Sequence, residues 1–383
     1  MEDWKEYKFS DFVTINPTIK LPSNEPISFV EMKDLDSGKR FCYPSSERIN
    51  GSGAKFEEYD TLFARITPCL ENGKICQVKG LKNKKGLGST EFLVFRGKEN
   101  VSDTNFVFYL SRWDEVRSHA EINLDGTSGR QRVPKECFND LLLDLPTDIP
   151  EQCAIASVLS SLDDKIDLLY RQNATLEKMA ETLFRQWFVE EAKEEWEETS
   201  LSTIADFLNG LACQKFPPKN SIDKLPVLKI KELTNGITEN SDWATTEVKT
   251  EYIVKNGDVI FAWSASLMVK IWNGENCILN QHLFRVTSDN YPKWFYYLWC
   301  KQHLNVFIAK AASHATTMGH IKRGDLDIAK VLIPSPEELL EMTNIMQPMI
   351  DKMTNNNIQI RTLIESRDTL LSKLISGEVR LEV

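Results

Sequence analysis

The sequence is poor in the patterns that usually announce chemistry. Only five histidines occur among 383 residues, and they are dispersed; His314 and His320 share a segment without ligand spacing, so no metal site is expected. The eight cysteines (42, 69, 76, 137, 153, 213, 277 and 300) include no C-x-x-C pair and no regular spacing. Such thiols are expected to be reduced and mostly buried, as in a cytoplasmic protein. No G-x-x-x-x-G-K-[ST] run is present to cradle a triphosphate, and no H-E-x-x-H. No stretch of about 18 uninterrupted apolar residues exists and no basic start leads into an apolar run, which argues against membrane spanning and secretion. These absences point to a chain that is not catalytic by itself.

What is present is a repeat. Trp4 with Phe9 and Ser10 returns as Trp196 with Leu201 and Ser202, and Asp60-Thr61-Leu62-Phe63-Ala64 returns as Asp258-Val259-Ile260-Phe261-Ala262. Phe106 to Leu110 returns as Trp294 to Leu298, Leu145-Pro146 as Ile333-Pro334, and Ile166-Asp167 as Ile350-Asp351. The shared order of these matches identifies one duplicated unit, a lobe followed by a helix, and hence a pseudo-symmetric molecule. The division that follows is a first lobe over 1–146, a helical region over 147–195, a second lobe over 196–335 and a second helical region over 336–383.

After Pro150, apolar residues alternate by four and three: Ile155, Leu159, Leu162, Ile166, Leu169, Asn173, Leu176, Ala180, Leu183, Trp187. The second copy reads Met346, Ile350, Met353, Asn357, Ile360, Ile364, Arg367, Leu371, Leu374. A spacing of 3.5 residues predicts a supercoiled seam, and one seam asparagine in each copy, Asn173 and Asn357, is the kind of residue that sets register. Pseudo-two-fold symmetry favours an antiparallel pair with a lobe at each end. From residue 155 to 187 the seam spans about 48 Å at 1.5 Å per residue, or about 14 base pairs of duplex. Such a pair could serve as a ruler.

The lobes read as mixed α and β structure. Strands are expected at 60–65, 91–95, 258–263 and 283–287, where β-branched and aromatic residues concentrate, and helices at 106–117 and 294–310 with their aromatics in the core. Most of the net charge of −10 lies on the first helical region, above all in Glu190 to Glu198, which leaves the lobes nearly neutral. Two polar loops in the first lobe stand out. Lys79 to Gly86 holds Lys82, Lys84 and Lys85, and Gly126 to Arg132 ends in Arg130-Gln131-Arg132. The corresponding loop of the second lobe, His314 to Arg323, holds Thr316, Thr317, His320, Lys322 and Arg323. Each loop alone could be a solvated turn, but these side chains are also the donors that take phosphate oxygens and read base edges.

The whole arrangement resembles the specificity subunit of a type I restriction-modification enzyme. The stretches that carry the resemblance are Phe63-Ala64-Arg65-Ile66-Thr67-Pro68-Cys69-Leu70-Glu71-Asn72-Gly73-Lys74, Leu374-Ile375-Ser376-Gly377-Glu378-Val379-Arg380, and Ile149-Pro150-Glu151-Gln152 leading into the first seam. The second lobe departs, with Trp263-Ser264-Ala265-Ser266 in place of Arg65-Ile66-Thr67-Pro68. The resemblance implies two mixed α/β target-recognition domains joined by an antiparallel helix pair, each reading half of a split sequence in double-stranded DNA. It further implies two methyltransferase subunits docked on the helices and motor-nuclease subunits beyond them, with S-adenosylmethionine, ATP and magnesium on those partners. Lys82, Lys84 and Lys85 are then expected to meet phosphates, and Arg130, Gln131 and Arg132 to meet bases and backbone. In the second lobe His320, Lys322 and Arg323 are expected to contact DNA, together with Thr316 and Thr317. Two other readings remain open: a coiled-coil adaptor that binds proteins, and a self-sufficient DNA methyltransferase. Against the latter, Asn16-Pro17 and Phe216-Pro217-Pro218-Lys219 hold only part of the Asn/Asp-Pro-Pro-aromatic segment that grips a flipped base.

Overall fold

The computed structural model describes residues 4–127, 129–238, 240–313 and 319–381. They form two compact units, residues 1–168 with 361–383 and residues 169–360, so each unit includes part of both long helices.

The first unit holds two sheets. A five-stranded sheet runs in the order 13–15, 92–97, 61–64, 75–78, 41–42, and a four-stranded one in the order 46–48, 27–30, 85–88, 54–57. The central strand Thr61–Ala64 is buried along its whole length, as its apolar run predicts. The second unit repeats this plan with the orders 206–209, 283–287, 259–262, 268–271 and 243–245, 224–228, 277–279, 253–254. Even the one parallel pairing in the smaller sheet recurs, between 27–30 and 85–88 and between 224–228 and 277–279.

The recurrent aspartate of the repeat has a structural task. Asp60 accepts the Glu57 N–H at 2.7 Å and pairs with Arg96 of the adjacent strand at 2.6 Å. Asp258 accepts the Lys255 N–H at 2.8 Å and pairs with Arg285 at 3.1 Å. Each closes the turn leading into the central strand while an arginine compensates its buried charge. Burial nonetheless pushes the Asp60 carboxyl above the ordinary aspartate range, against the opposing effect of Arg96.

Two local expectations need correction. The helix expected over 106–117 is two helices, Thr104–Arg112 and Asp114–Ile122. The chain turns extended at Trp113 (ψ 138°), and Asp114 and Glu115 supply the acidic first turn that a new helix favours. Lys85 and Gly86, expected in a loop, open the strand Lys85–Gly88.

The long helices are Ile149–Arg185 and Pro336–Ile375. Each begins in the same way. The indole N–H of Trp4 donates to Glu151 and that of Trp196 to Glu338, both at 2.9 Å, so the repeated tryptophan holds the third residue of a helix. Lys193, Ser335 and Trp196 hold the Glu338 carboxyl down at about 2. At the other end of the second helix Gly377 (φ +73°) caps the last turn, and a side chain there would meet the Trp4 ring at 3.2 Å. Val379 N–H bonds back to the Lys373 carbonyl, which completes the cap.

Within each unit the helices pack antiparallel. In the first, Ile155 and Leu159 join Leu371, Leu374 and Ile375 in one core, and Asp163 further along meets Arg367 at 2.8 Å. In the second, Asn173 meets Asn357, and Ala180 and Phe184 share a core with Met346 and Ile350. Ile166, Ile350 and Ile360 are buried and Leu176 is half-buried. Near its end the seam moves one position, from Leu183 and Trp187 to the more deeply buried Phe184 and Phe188. A helix of 3.6 residues per turn drifts this way against a 3.5-residue repeat, and the π-helical turn Gln186–Glu190 carries it further.

The seam amides form a group of three. Asn173 donates to Asn357 at 2.7 Å and accepts from Asn356 at 2.8 Å, and Asn356, outside the heptad reading, is fully buried. Replacing Asn173 by leucine strands the amide of Asn356 and should cost about 2–4 kcal/mol of unfolding free energy. Leucine at 173, 356 and 357 together should recover much of that loss in denaturant titration, since no polar group is then left unpaired.

Candidate nucleic-acid interface

In the first unit the central strand ends at Ala64, and the next residues are paired on both sides. Arg65 N–H donates to the Glu91 carbonyl at 3.0 Å, and the Arg65 carbonyl accepts from Val133 at 2.8 Å. Thr67 and Gln131 are joined through Thr67 N–H to the Gln131 carbonyl at 3.0 Å and Gln131 N–H to Thr67 Oγ1 at 3.1 Å. Arg65-Ile66-Thr67-Pro68 and Arg130-Gln131-Arg132, far apart in sequence, thus lie side by side. The 126–132 loop is closed at its base by Asp125 and Arg132, whose backbones exchange hydrogen bonds of 3.0 and 2.8 Å. Gly126 (φ +118°) and Gly129 (φ +81°) take backbone conformations that other residues rarely adopt.

Arg132 points its guanidinium at Glu91. Nε lies 2.9 Å and Nη2 2.7 Å from the carboxylate oxygens, and the carboxylate holds the arginine proton more tightly than usual. Arg130 is exposed. Beside this junction a cleft of about 410 Å³ is lined by Asn16, Thr18, Lys55, Arg65 and Thr90 among others. Arg65 Nε is buried there without a hydrogen-bond partner among the described residues.

The lysine segment lies elsewhere. Lys85 and Gly88 are the two ends of one strand, and the chain reaches Glu91 only after Gly88, so the lysines and Arg132 occupy opposite ends of that strand. Lys82 approaches Glu47 at 3.5 Å, and Lys85 approaches Glu57 at 3.9 Å and the Lys20 carbonyl at 3.2 Å. Lys84 is exposed in a left-handed conformation (φ 57°) and makes no ion pair among the described residues.

The second unit builds the same junction from different side chains. Trp263 N–H donates to the His282 carbonyl at 3.3 Å, and the Trp263 carbonyl accepts from Ile321 at 3.1 Å. His320 sits opposite Ser264 as Arg132 sits opposite Ile66. Trp263 stacks on Phe284 with ring centroids 5.6 Å apart and lies 6.0 and 6.3 Å from the rings of His282 and His320. Its indole N–H donates to Asn209 at 3.1 Å, and Ser264 Oγ is 3.1 Å from His282 Nδ1. Lys322 precedes the short helix Arg323–Asp327, and Arg323 Nη2 lies 3.4 Å from the Phe207 carbonyl. Thr316 and Thr317 lie outside the described residues. Sequence reasoning passed over Glu91, Lys55, His282 and Asn209 as site residues. The available signal was the replacement of Arg65 by Trp263 immediately after the most regular stretch of the repeat.

Among the described residues no cluster of His, Cys, Asp and Glu is placed to hold a metal ion, and no helix is long and apolar enough to cross a membrane. Comparison with known families is decisive. The type I restriction modification DNA specificity domain matches residues 1–178 and again 193–366. The chain belongs to this family. As a specificity subunit it is the non-catalytic part of a type I restriction-modification enzyme. Among similar members, the MjaIX specificity subunit of Methanocaldococcus jannaschii is 29% identical over 73% of this chain and 70% of its own length. The HindI specificity subunit of Haemophilus influenzae is 21% identical over 99% of this chain and all of its own. The crystal structure of a type I restriction-modification S subunit from M. genitalium has the same fold, with a TM-score of 0.52 at 13% identity over 97% of this chain and 96% of that one.

The ion pairs of the lysine segment set an order among its three candidates for phosphate contact. Lys84→Ala should weaken duplex binding equally for all sequences and reduce the slope of log affinity against log salt by about 1. Lys82→Ala and Lys85→Ala should change that slope less, because each lysine already faces a carboxylate. A loss at Lys84 confined to one DNA sequence in a salt titration would contradict a phosphate contact.

Proposed function

We propose that this chain selects the DNA site at which a type I restriction-modification complex acts, each lobe reading one half of a split duplex sequence through the major groove. The long helices set the number of base pairs between the halves. The observation that carries this reading is the duplicated junction: one backbone arrangement presents Arg65, Glu91 and Arg132 in the first lobe and Trp263, His282 and His320 in the second. A common scaffold with different side chains is what two readers of different half-sites require. Lys82, Lys84 and Lys85 serve as phosphate contacts of the first lobe, Arg130, Gln131 and Arg132 as its base and backbone contacts, and His320, Lys322, Arg323, Thr316 and Thr317 as those of the second.

The helices are the docking surface for two methyltransferase subunits. In support, Ala174, Met179 and Leu183 with neighbouring residues line an apolar groove of about 610 Å³ on the first helix, and Met179 remains 47% exposed. The acidic stretch Glu190 to Glu198 that follows repels phosphate and suits a protein surface better than a nucleic-acid one. Motor-nuclease subunits join that core, and S-adenosylmethionine, ATP and magnesium belong to the partner subunits. The chain works in the cytoplasm.

Exchanging residues 1–146 for the corresponding lobe of another specificity subunit should change one half of the modified sequence and leave the other half and the spacing intact. Mapping methylated bases in cells that carry either version is the measurement. A motif altered in both halves, or in neither, would overturn the two-reader model. Duplex binding that hardly responds to salt would favour the protein-binding adaptor instead.

A further inference from the structure

We propose that Arg132 reads a guanine in the first half-site and that Glu91 is the residue that aims it; this rests on the functional reading above. A guanidinium carries five N–H donors in one plane. Glu91 engages Nε and one side of Nη2, at 2.9 and 2.7 Å, so one edge of the fork is held by the protein. The remaining edge, Nη1 with the outer N–H of Nη2, has among the described residues a single marginal acceptor, the Arg130 carbonyl at 3.5 Å. The side chain is 46% exposed while Glu91 is 23% exposed, so the occupied edge is the more sheltered one.

The base of the arginine is equally fixed. Its backbone exchanges both hydrogen bonds with Asp125, and the next residue, Val133, is fully buried and bonded to the Arg65 carbonyl. Arg65 N–H in turn holds the Glu91 carbonyl, so carboxylate and guanidinium are referred to the same strand end. Two parallel donors presented in this way match the O6 and N7 acceptors of guanine. Adenine offers one acceptor beside a donor, thymine one acceptor beside a methyl group, and cytosine a donor, so none of them satisfies both N–H groups. In the second lobe His320 occupies the position of Arg132 and His282 that of Glu91. Among the described residues that junction lacks the fork, so this contact has no counterpart at the same place in the second lobe.

The test is selection from a duplex pool randomised at every position, using the full-length chain co-purified with its methyltransferase partner. Wild type should enrich a motif with a guanine in one half, and Arg132→Ala should cut the preference at that single position by about 5- to 150-fold. Arg132→Lys keeps the charge but loses the planar fork that Glu91 holds, so total affinity should stay within a few-fold while the same preference falls by several-fold without vanishing, since an ammonium can still donate to O6 and N7. Glu91→Ala should also lower the preference without lowering total affinity, and Glu91→Gln, which retains one acceptor, should restore part of it. Uniform weakening across all sequences in both arginine variants would make Arg132 a phosphate contact and overturn the inference. An unchanged motif in Arg132→Ala or in Glu91→Ala would overturn it as well. A wild-type complex that enriches no motif would instead defeat the underlying functional reading, so the two failures are distinguishable.

Discussion

The long helices are held in one register by buried polar groups that find partners across the seam. Asp163 and Arg367 are almost wholly buried; one oxygen of Asp163 takes the guanidinium at 2.8 Å and the other takes the Tyr109 hydroxyl at 2.8 Å. Asn173 serves Asn356 and Asn357 at once. Apolar seam residues tolerate sliding, since one leucine fills the place of another at modest cost. A buried charge or amide does not, because displacement by a turn takes away its partner on the other helix, and breaking a buried ion pair costs about 3–5 kcal/mol. These contacts add less to stability than to uniqueness.

The duplication works on two levels. Backbone-determining features recur almost unchanged: the tryptophan that holds a helix start, the aspartate that closes the turn before the central strand, the order and direction of strands in both sheets. Side chains beyond the strand end diverge completely, from an arginine, a glutamate and an arginine to a tryptophan and two histidines. The recurrent residues are those whose loss would leave a buried N–H, carboxylate or indole unsatisfied. Among the divergent side chains Arg132, His282 and His320 are exposed, where solvent or a ligand can satisfy them, so they are free to differ.

Much of this was legible in the sequence because its signals are periodic or repeated. The heptad spacing located both helices and two of the three seam amides, and the ordered matches located both central strands. Asn356 escaped notice because it sits beside the seam position and is buried only once the two helices are laid together. Helical spacing of apolar residues runs through Trp113, and the break there is set by local backbone geometry that spacing does not record. Glu91 is one of 56 acidic residues, and nothing local distinguishes it.

The sequence by itself determined the duplication, the mixed character of the lobes, the two long helices and their asparagine seam, because each of these is a pattern of burial along a regular element. Only the tertiary structure decided what stands next to what at the strand ends. It joined Arg65 to Val133 and Glu91, set Arg132 against a carboxylate more than 40 positions earlier in the chain, and moved the lysines to the far end of a strand. The physical reason is that loops carry no periodic burial signal. Their side chains acquire meaning from partners brought together by the sheet, and strand pairing between distant segments is a property of the folded chain.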